Sequence, residues 1–196
     1  MVSFGQLNHS QNMIRFFDIF FSAIGLLLLS PIFILLLIIG IIDTGSPLFL
    51  QERLGKCKRP FRLVKFRSMH TNTQSVATHL VQTSSITKWG HFLRRSKLDE
   101  LPQLLNVFFG DMSLVGPRPN LLNQTELIYE RDRRGVYSVR PGITGLAQVK
   151  KVDMSTPQLL SETDSEMLRN NGIGNYFKFI FLTLFGNGFG DRVVLF

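Results

Sequence analysis

From Ile19 to Ile42 the chain runs for 24 residues without a charge, IFFSAIGLLLLSPIFILLLIIGII, and Ser30-Pro31 divides that run into two arms of eleven residues. A helix rising about 1.5 Å per residue over the whole run would cross a hydrocarbon layer roughly 30 Å thick, and one arm reaches about half of it. Pro31 deprives the Leu27 carbonyl of its helical partner and crowds it, so the helix must bend there. The Ser30 hydroxyl can bond back to a carbonyl one turn earlier, which limits the cost of unsatisfied backbone in lipid. Two topologies follow: a kinked spanning helix, or a helix-break-helix hairpin that enters and leaves one leaflet. Physics alone favours spanning, since transmembrane helices tolerate proline. A cleaved signal would have an apolar region of only about 7 to 15 residues and a small-residue cleavage site, whereas this run is longer and ends in Ile-Ile-Asp-Thr.

Charge placement sets sidedness. Residues 43–69 hold Arg53, Lys56, Lys58, Arg59, Arg62, Lys65 and Arg67 against Asp43 and Glu52, a net of +5 directly after the apolar run. Basic residues near a membrane segment stay cytoplasmic, so the body that follows should face the cytoplasm under either topology. The whole chain carries +8 over 196 residues with 44% apolar residues, which suits one domain and excludes intrinsic disorder. Cys57 is the single cysteine, so an intramolecular disulfide and a thiolate zinc site are both excluded. His9, His70, His79 and His91 have no metal-binding spacing.

Beyond the anchor, alternating apolar residues predict a β-hairpin, with strands near 48–52 and 61–66 around a turn at Gly55 to Pro60. Thr71 to Thr87 reads as a mobile loop, or at most a short helix. Leu101, Leu104, Leu105 and Phe108 then recur at helical spacing, with Gly110 as the stop. Pro102 must lie in the first turn, which puts Asp99 and Glu100 at the helix N-terminus, facing free N–H groups and the positive end of the dipole. Residues 120–134 suit a second amphipathic helix, Val139 to Gln148 a turn-rich segment, and Pro157 the start of another helix. Tyr176 to Phe185 is too short to span and reads as an interfacial helix, with a buried core helix the close alternative. The expected fold class is α+β and mostly helical, with residues 1–45 as the anchor and residues 46–196 as a body packed on the membrane interface.

Two adjacent acids at a helix start have a plain explanation as an N-cap and a first-turn acid. Their company argues for more. Arg94 and Arg95 precede the pair and Val115-Gly116-Pro117-Arg118-Pro119 follows the helix; arginines beside carboxylates on a membrane-anchored body suit a divalent metal and a diphosphate.

KLDELPQLLNVFFGDMSLVGPRP (Lys97 to Pro119) and VRPGITGLAQV (Val139 to Val149), preceded by QERLG, VKFRSM and the Ser-Pro break, resemble the monotopic phosphoglycosyl transferases, or bacterial sugar transferases, from about Arg15 to Asp191. The resemblance implies transfer of a sugar 1-phosphate from a UDP-sugar to undecaprenyl phosphate, releasing UMP, as the first membrane step of surface glycan synthesis. It implies Asp99 as the nucleophile that forms an aspartyl-phosphosugar intermediate, with Glu100 tied to Mg²⁺, and Asp99 and Glu100 together as the metal-binding pair. A carboxylate is a weak nucleophile that needs the phosphate charge neutralised, so cations beside it make chemical sense.

By motif position, Lys65, Arg67, Arg94, Arg118, Pro119, Arg140 and Asp164 match the family's polar site residues. The resemblance assigns Arg118 and its flanking prolines to the nucleotide diphosphate, Lys65, Arg94 and Arg140 to phosphate charge, and Asp164 to site organisation or sugar contact. A structural salt bridge is the alternative for Arg140 and Asp164. It also implies that Ser30 and Pro31 make a re-entrant hairpin, reversing the preference for spanning and placing the acidic pair at the headgroup level on the cytoplasmic face of the bacterial inner membrane. One departure stands out: Lys150-Lys151-Val152 occupies the place where many relatives continue Asn-Gly-Arg, so donor identity is not inherited. Membrane lipids, a second copy of the chain and downstream glycosyltransferases are the further candidate partners. Nucleic acid is not expected, because the basic cluster hugs the membrane segment instead of interleaving with exposed aromatics. The rival readings are a membrane-tethered nucleic-acid-binding module and an inactive scaffold of a glycan assembly complex.

Overall fold

A computed structural model describes residues 4–73, 85–170 and 172–185, with side chains from residue 11 onward. The apolar run forms two helices, α1 (Phe4–Leu28) and α2 (Ser30–Thr44), broken at Leu29. Ser30 donates its hydroxyl to the Leu27 carbonyl at 2.8 Å, satisfying the group that Pro31 leaves orphaned. Gly45, in the left-handed conformation at φ 71°, closes α2 by donating to the Ile41 carbonyl. Residues 11–28 of α1 are long and apolar enough to cross a membrane by length and composition.

Both arms of the broken helix pack onto the body that follows them. Along α1, Arg15 donates to the carbonyls of Val107 and Phe108, and Gly25 lies against the Leu104 side chain. Along α2, Leu36 is buried with Phe66 and Leu93, and Asp43 accepts the Thr87 hydroxyl at 2.7 Å. Many of their other apolar residues are exposed, among them Phe16, Phe20, Leu27, Ile34, Ile38 and Ile42. An uncovered apolar surface of that extent marks an interaction with a membrane or partner.

The hairpin forms as expected, somewhat longer, from β1 (Leu48–Leu54) paired antiparallel with β2 (Pro60–Phe66). Next comes α3 (Lys88–Ser96), whose N-cap Thr87 accepts from the Gly90 N–H at 2.8 Å. Most of the stretch expected as a loop, residues 74–84, lies outside the described residues; its flanks meet in a bridge between Met69 and Ile86. The helix predicted by Leu101, Leu104 and Phe108 is α4 (Gln103–Phe109), stopped by Gly110 at φ 100°.

A pairing absent from the local pattern follows. β3 (Ser113–Val115) lies parallel to β4 (Gly142–Thr144), so the GDMSLVGPRP and RPGITG segments are neighbours. A Cβ on Gly142 would sit 2.0 Å from the Gly116 nitrogen, so this crossing requires glycine. α5 (Thr125–Arg133), α6 (Leu146–Val149) and α7 (Pro157–Arg169) share a core of Leu127, Ala147 and Leu160. Finally α8 (Ile173–Leu184) buries Tyr176 and Phe179 while exposing Phe177, Phe181 and Leu184. It is amphipathic, which joins the interfacial and core readings of this segment.

Asp18 ties these parts together. Its Oδ1 accepts from the Ser113 hydroxyl at 3.0 Å, the Leu114 N–H at 2.9 Å and the Tyr176 hydroxyl at 2.9 Å, so one carboxylate joins α1, β3 and α8. Burial and the adjacent Asp18 carboxylate push the Tyr176 phenol well above its ordinary value, keeping it a donor. Asp18→Ala would leave those donors buried and unpaired, an expected cost of about 2–4 kcal/mol and a thermal midpoint lower by on the order of 10 °C, measured in detergent. An unchanged midpoint would show that Asp18 is not the tie described.

Candidate functional site

Asp99 and Glu100 do not open a helix, contrary to the spacing-based expectation. They sit in a 3₁₀ turn, Leu98–Glu100, between α3 and α4, and Pro102 caps α4. Pro102 has no N–H to donate to the Leu98 carbonyl, so that carbonyl takes the Leu101 N–H instead, at 3.2 Å, and the chain tightens. Lys97, left-handed at φ 59°, ends α3 and turns the chain into this pair. The result is two adjacent carboxylates that are 4% and 8% exposed.

Buried carboxylates need compensation, and Glu100 has it. Its Oε1 accepts from Lys65 Nζ at 3.1 Å and Arg118 Nη2 at 2.8 Å. Lys65 reaches it from β2, and Arg118 from the segment after β3. Two cations thus converge on one carboxylate beside Asp99, concentrating positive charge where a diphosphate could displace or share it. Pro119 fixes this segment through its carbonyl, which accepts from Arg53 Nη1 at 3.0 Å.

Arg118 is itself braced from behind by a residue the sequence did not single out. Arg131 on α5 is fully buried and donates to the Arg118 carbonyl at 2.8 Å and to Asn120 Oδ1 at 3.0 Å. Its remaining N–H groups grip Asp164 Oδ2 on α7, at 2.7 and 3.0 Å. Burial raises the Asp164 carboxyl from its ordinary value, and the Arg131 guanidinium opposes that shift. Asp164 therefore acts on Arg118 through Arg131; the structure places it at 1% exposure, in a salt bridge with Arg131 and not with Arg140. The run of acidic and basic residues on α5 and α7 could have hinted at such a pair, but not at which residues make it.

The other matched residues have hydrogen-bond partners of their own. Arg67 is committed to the hairpin base, donating to the carbonyls of Ser46 and Leu48, with its cation 5.5 Å from the centre of the Phe49 ring. Arg94 donates to Ser68 Oγ at 2.9 Å, while its Nη1 is buried with no hydrogen-bond partner. Arg140 donates to the Gly110 carbonyl and lines a small cleft with Arg15 and Asp18. Ser30 and Pro31 are at the helix break, as described.

Glu100 also opens onto a cavity of about 360 Å³ bounded by the 3₁₀ turn, α4, the β3–β4 pair, α6 and α8. Gln148, from the RPGITGLAQ segment, lines it; this side chain is 6% exposed and neither its Nε2 nor its Oε1 has a hydrogen-bond partner. For a metal, no group of three or more His, Cys, Asp or Glu side chains occurs among the described residues. Asp99 with Glu100 nonetheless suits Mg²⁺, which commonly takes one or two carboxylates and completes its shell with waters and substrate phosphates.

The Arg131–Asp164 pair yields a separable expectation. Arg131→Ala strands a buried carboxylate and should cost about 3–5 kcal/mol, whereas replacing both partners with leucine should cost clearly less. Thermal unfolding of the two variants checks this. Equal losses would contradict it.

Comparison with known proteins adds an independent observation. A family model described as bacterial sugar transferase matches residues 9–187. The UDP-glucose:undecaprenyl-phosphate glucose-1-phosphate transferase of Escherichia coli (strain K12) is 37% identical over 186 residues, 89% of this chain and 40% of that protein. The enzyme of the same name from Klebsiella pneumoniae is 40% identical over 184 residues, 87% of this chain and 39% of that protein. The exopolysaccharide production protein PSS of Rhizobium leguminosarum bv. phaseoli is 41% identical over 147 residues, 69% of this chain and 72% of that protein. The chain thus spans about two fifths of the length of the first two.

Proposed function

Because this chain belongs to the bacterial sugar transferase family, we propose that it moves a sugar 1-phosphate from a UDP-sugar to undecaprenyl phosphate. The observation that carries this reading is the buried Asp99-Glu100 pair with Lys65 and Arg118 converging on Glu100, held against an anchor with an exposed apolar surface. An Asp99 oxygen attacks the phosphorus that bears the sugar. The bond from that phosphorus to the UMP oxygen breaks, and UMP leaves. A phosphate oxygen of the lipid acceptor then attacks the same phosphorus, which breaks the acyl-phosphate bond and restores the Asp99 carboxylate. Dividing the transfer lets an aqueous and a membrane-bound substrate use one site in turn.

Lys65 and Arg118 hold the diphosphate charge, and Arg94 offers a further N–H. Asp99 and Glu100 are the residues that would hold Mg²⁺, whose chemistry is to neutralise phosphate oxygens as the leaving group departs. The anchor enters and leaves the cytoplasmic leaflet of the inner membrane as a re-entrant hairpin. What supports this topology is that both arms return to the same body, α1 through Asp18 and α2 through Leu36 and Asp43. The reaction is the first membrane step of surface glycan synthesis.

UMP release from a panel of UDP-sugars, measured without lipid, tests the chemistry and identifies the donor. Asp99→Asn should abolish release and the Asp99 phosphosugar adduct seen by mass spectrometry; release at the wild-type rate would refute the nucleophile assignment. EDTA should suppress release and added Mg²⁺ restore it. The topology is read by thiol labelling in sealed vesicles, comparing native Cys57, which is exposed, with a Cys57→Ser chain carrying Asn12→Cys. Labelling from the same side is expected, and labelling from opposite sides would establish a spanning helix.

A further inference from the structure

The cavity beside Glu100 has a composition at odds with a nucleotide sugar. Its wall is built mainly from Leu101, Leu104, Leu114, Ile143, Ile180 and Leu184, with Ser96, Lys97, Glu100 and Gln148 as polar members. Two further polar side chains in the wall are already committed. The Thr144 and Thr183 hydroxyls are hydrogen-bonded to each other, and Thr183 also donates to the Phe179 carbonyl at 2.8 Å. A diphosphate, a ribose and a sugar would present many hydroxyls and charges to leucine and isoleucine, leaving them desolvated and unpaired.

The cavity's surroundings point to a different occupant. Leu184 in its wall is 77% exposed, and on α8 it adjoins the exposed Phe177, Phe181 and Phe185. Across from it, Leu104 touches Gly25 of α1, in the apolar run. The cavity is therefore continuous with the surface that the anchor and α8 leave uncovered, and it leads from that surface to the carboxylate on which Lys65 and Arg118 converge. Its volume falls within the roughly 300–1,000 Å³ of small-molecule sites. We propose that this cavity binds the phosphate-proximal isoprene units of the lipid acceptor, entering past Leu184 and Ile180 so that the phosphate meets the Asp99-Glu100 pair. Gln148 faces the polar end, and its amide N–H groups are free to donate to the acceptor's phosphate.

This inference rests on the transfer reaction proposed above, and two experiments on the full chain separate their failures. In the first, Ile180→Trp, at a half-buried position in the cavity wall, should raise KM for both farnesyl phosphate and undecaprenyl phosphate by about tenfold, with the UDP-sugar KM within about twofold of wild type. A rise in donor KM would assign the cavity to the donor, and a rise for undecaprenyl phosphate alone would move the contact to the distal chain. No change in either KM would remove the cavity from binding altogether. Each of these three results overturns the proposal. The second experiment needs no turnover: a diazirine-bearing farnesyl phosphate is photocrosslinked to the wild-type protein. Adducts at Leu101, Leu104, Ile180 or Leu184 support the site and adducts elsewhere overturn it. Adducts at these positions in a protein that transfers nothing would retain the site and refute the reaction.

Discussion

A carboxylate buried in an apolar helix is expensive unless it finds donors, and Asp18 is where this chain meets that constraint, through Oδ1. Three donors from two other elements surround it, one on the N–H of Leu114, one on Ser113 and one on Tyr176. Because those donors belong to β3 and α8, satisfying Asp18 fixes the apolar anchor against the body that follows it. Everything that follows β3, including Arg118, inherits its height above the anchor from that bond set. Arg15, one turn earlier, repeats the device on the carbonyls at the end of α4. Polar bonds at the top of α1 therefore position the site, while its apolar remainder provides the attachment.

The site is arranged in depth. Lys65 and Arg118 face Glu100; behind Arg118, Arg131 holds its carbonyl; behind Arg131, Asp164 neutralises the guanidinium. A buried ion pair seldom adds net stability, since desolvation offsets the attraction. Its use here is geometric. Arg131 can hold a backbone carbonyl in a fixed place only if its charge is matched, and Asp164 matches it from another helix. The close crossing at Gly116 and Gly142 serves the same end, bringing the segments before Arg118 and after Arg140 into contact without side chains between them.

Much of this was legible in local sequence because the signals are local. Ser30-Pro31 breaks the helix, Gly110 ends α4, Pro157 opens α7 and alternation marks β1 and β2. Such features depend on residues within a turn of one another. What was hidden depends on distant pairing or on a weak period. The α3 sequence KWGHFLRRS is short and interrupted by a glycine, and its Gly90 is required by a distant contact, the Ser68 backbone, whose oxygen would lie 1.9 Å from a Cβ there. Placing Asp99 and Glu100 in a 3₁₀ turn needed Lys97 to be left-handed, which nothing in its neighbours announces. The motif resemblance named Asp164 but not Arg131, because the identity of a salt-bridge partner 33 residues away is a property of the packing of α5 on α7.

Placing an acidic pair at the meeting of an apolar surface and a cationic cluster answers a problem of phase. In the transfer proposed above, one substrate would carry a charged nucleotide that cannot enter hydrocarbon, and the other a chain that cannot leave it. A shared reacting atom must then lie on the boundary between the two environments. In this chain Glu100 occupies such a boundary, with Lys65 and Arg118 on one side and the leucine-walled cavity on the other. The 3₁₀ turn makes this arrangement available. By tightening the chain between α3 and α4 it lets neighbouring residues point into different surroundings, so that Leu98 and Leu101 pack into the core with Leu36, Phe66 and Leu93 while the acids between them meet the cations. A regular helix through the same residues would put Leu98 and Leu101 on the face they occupy now, but Pro102 forbids its continuation. Pro102 therefore opens α4 and also keeps the carboxylates in the tight turn between the apolar surface and the cations.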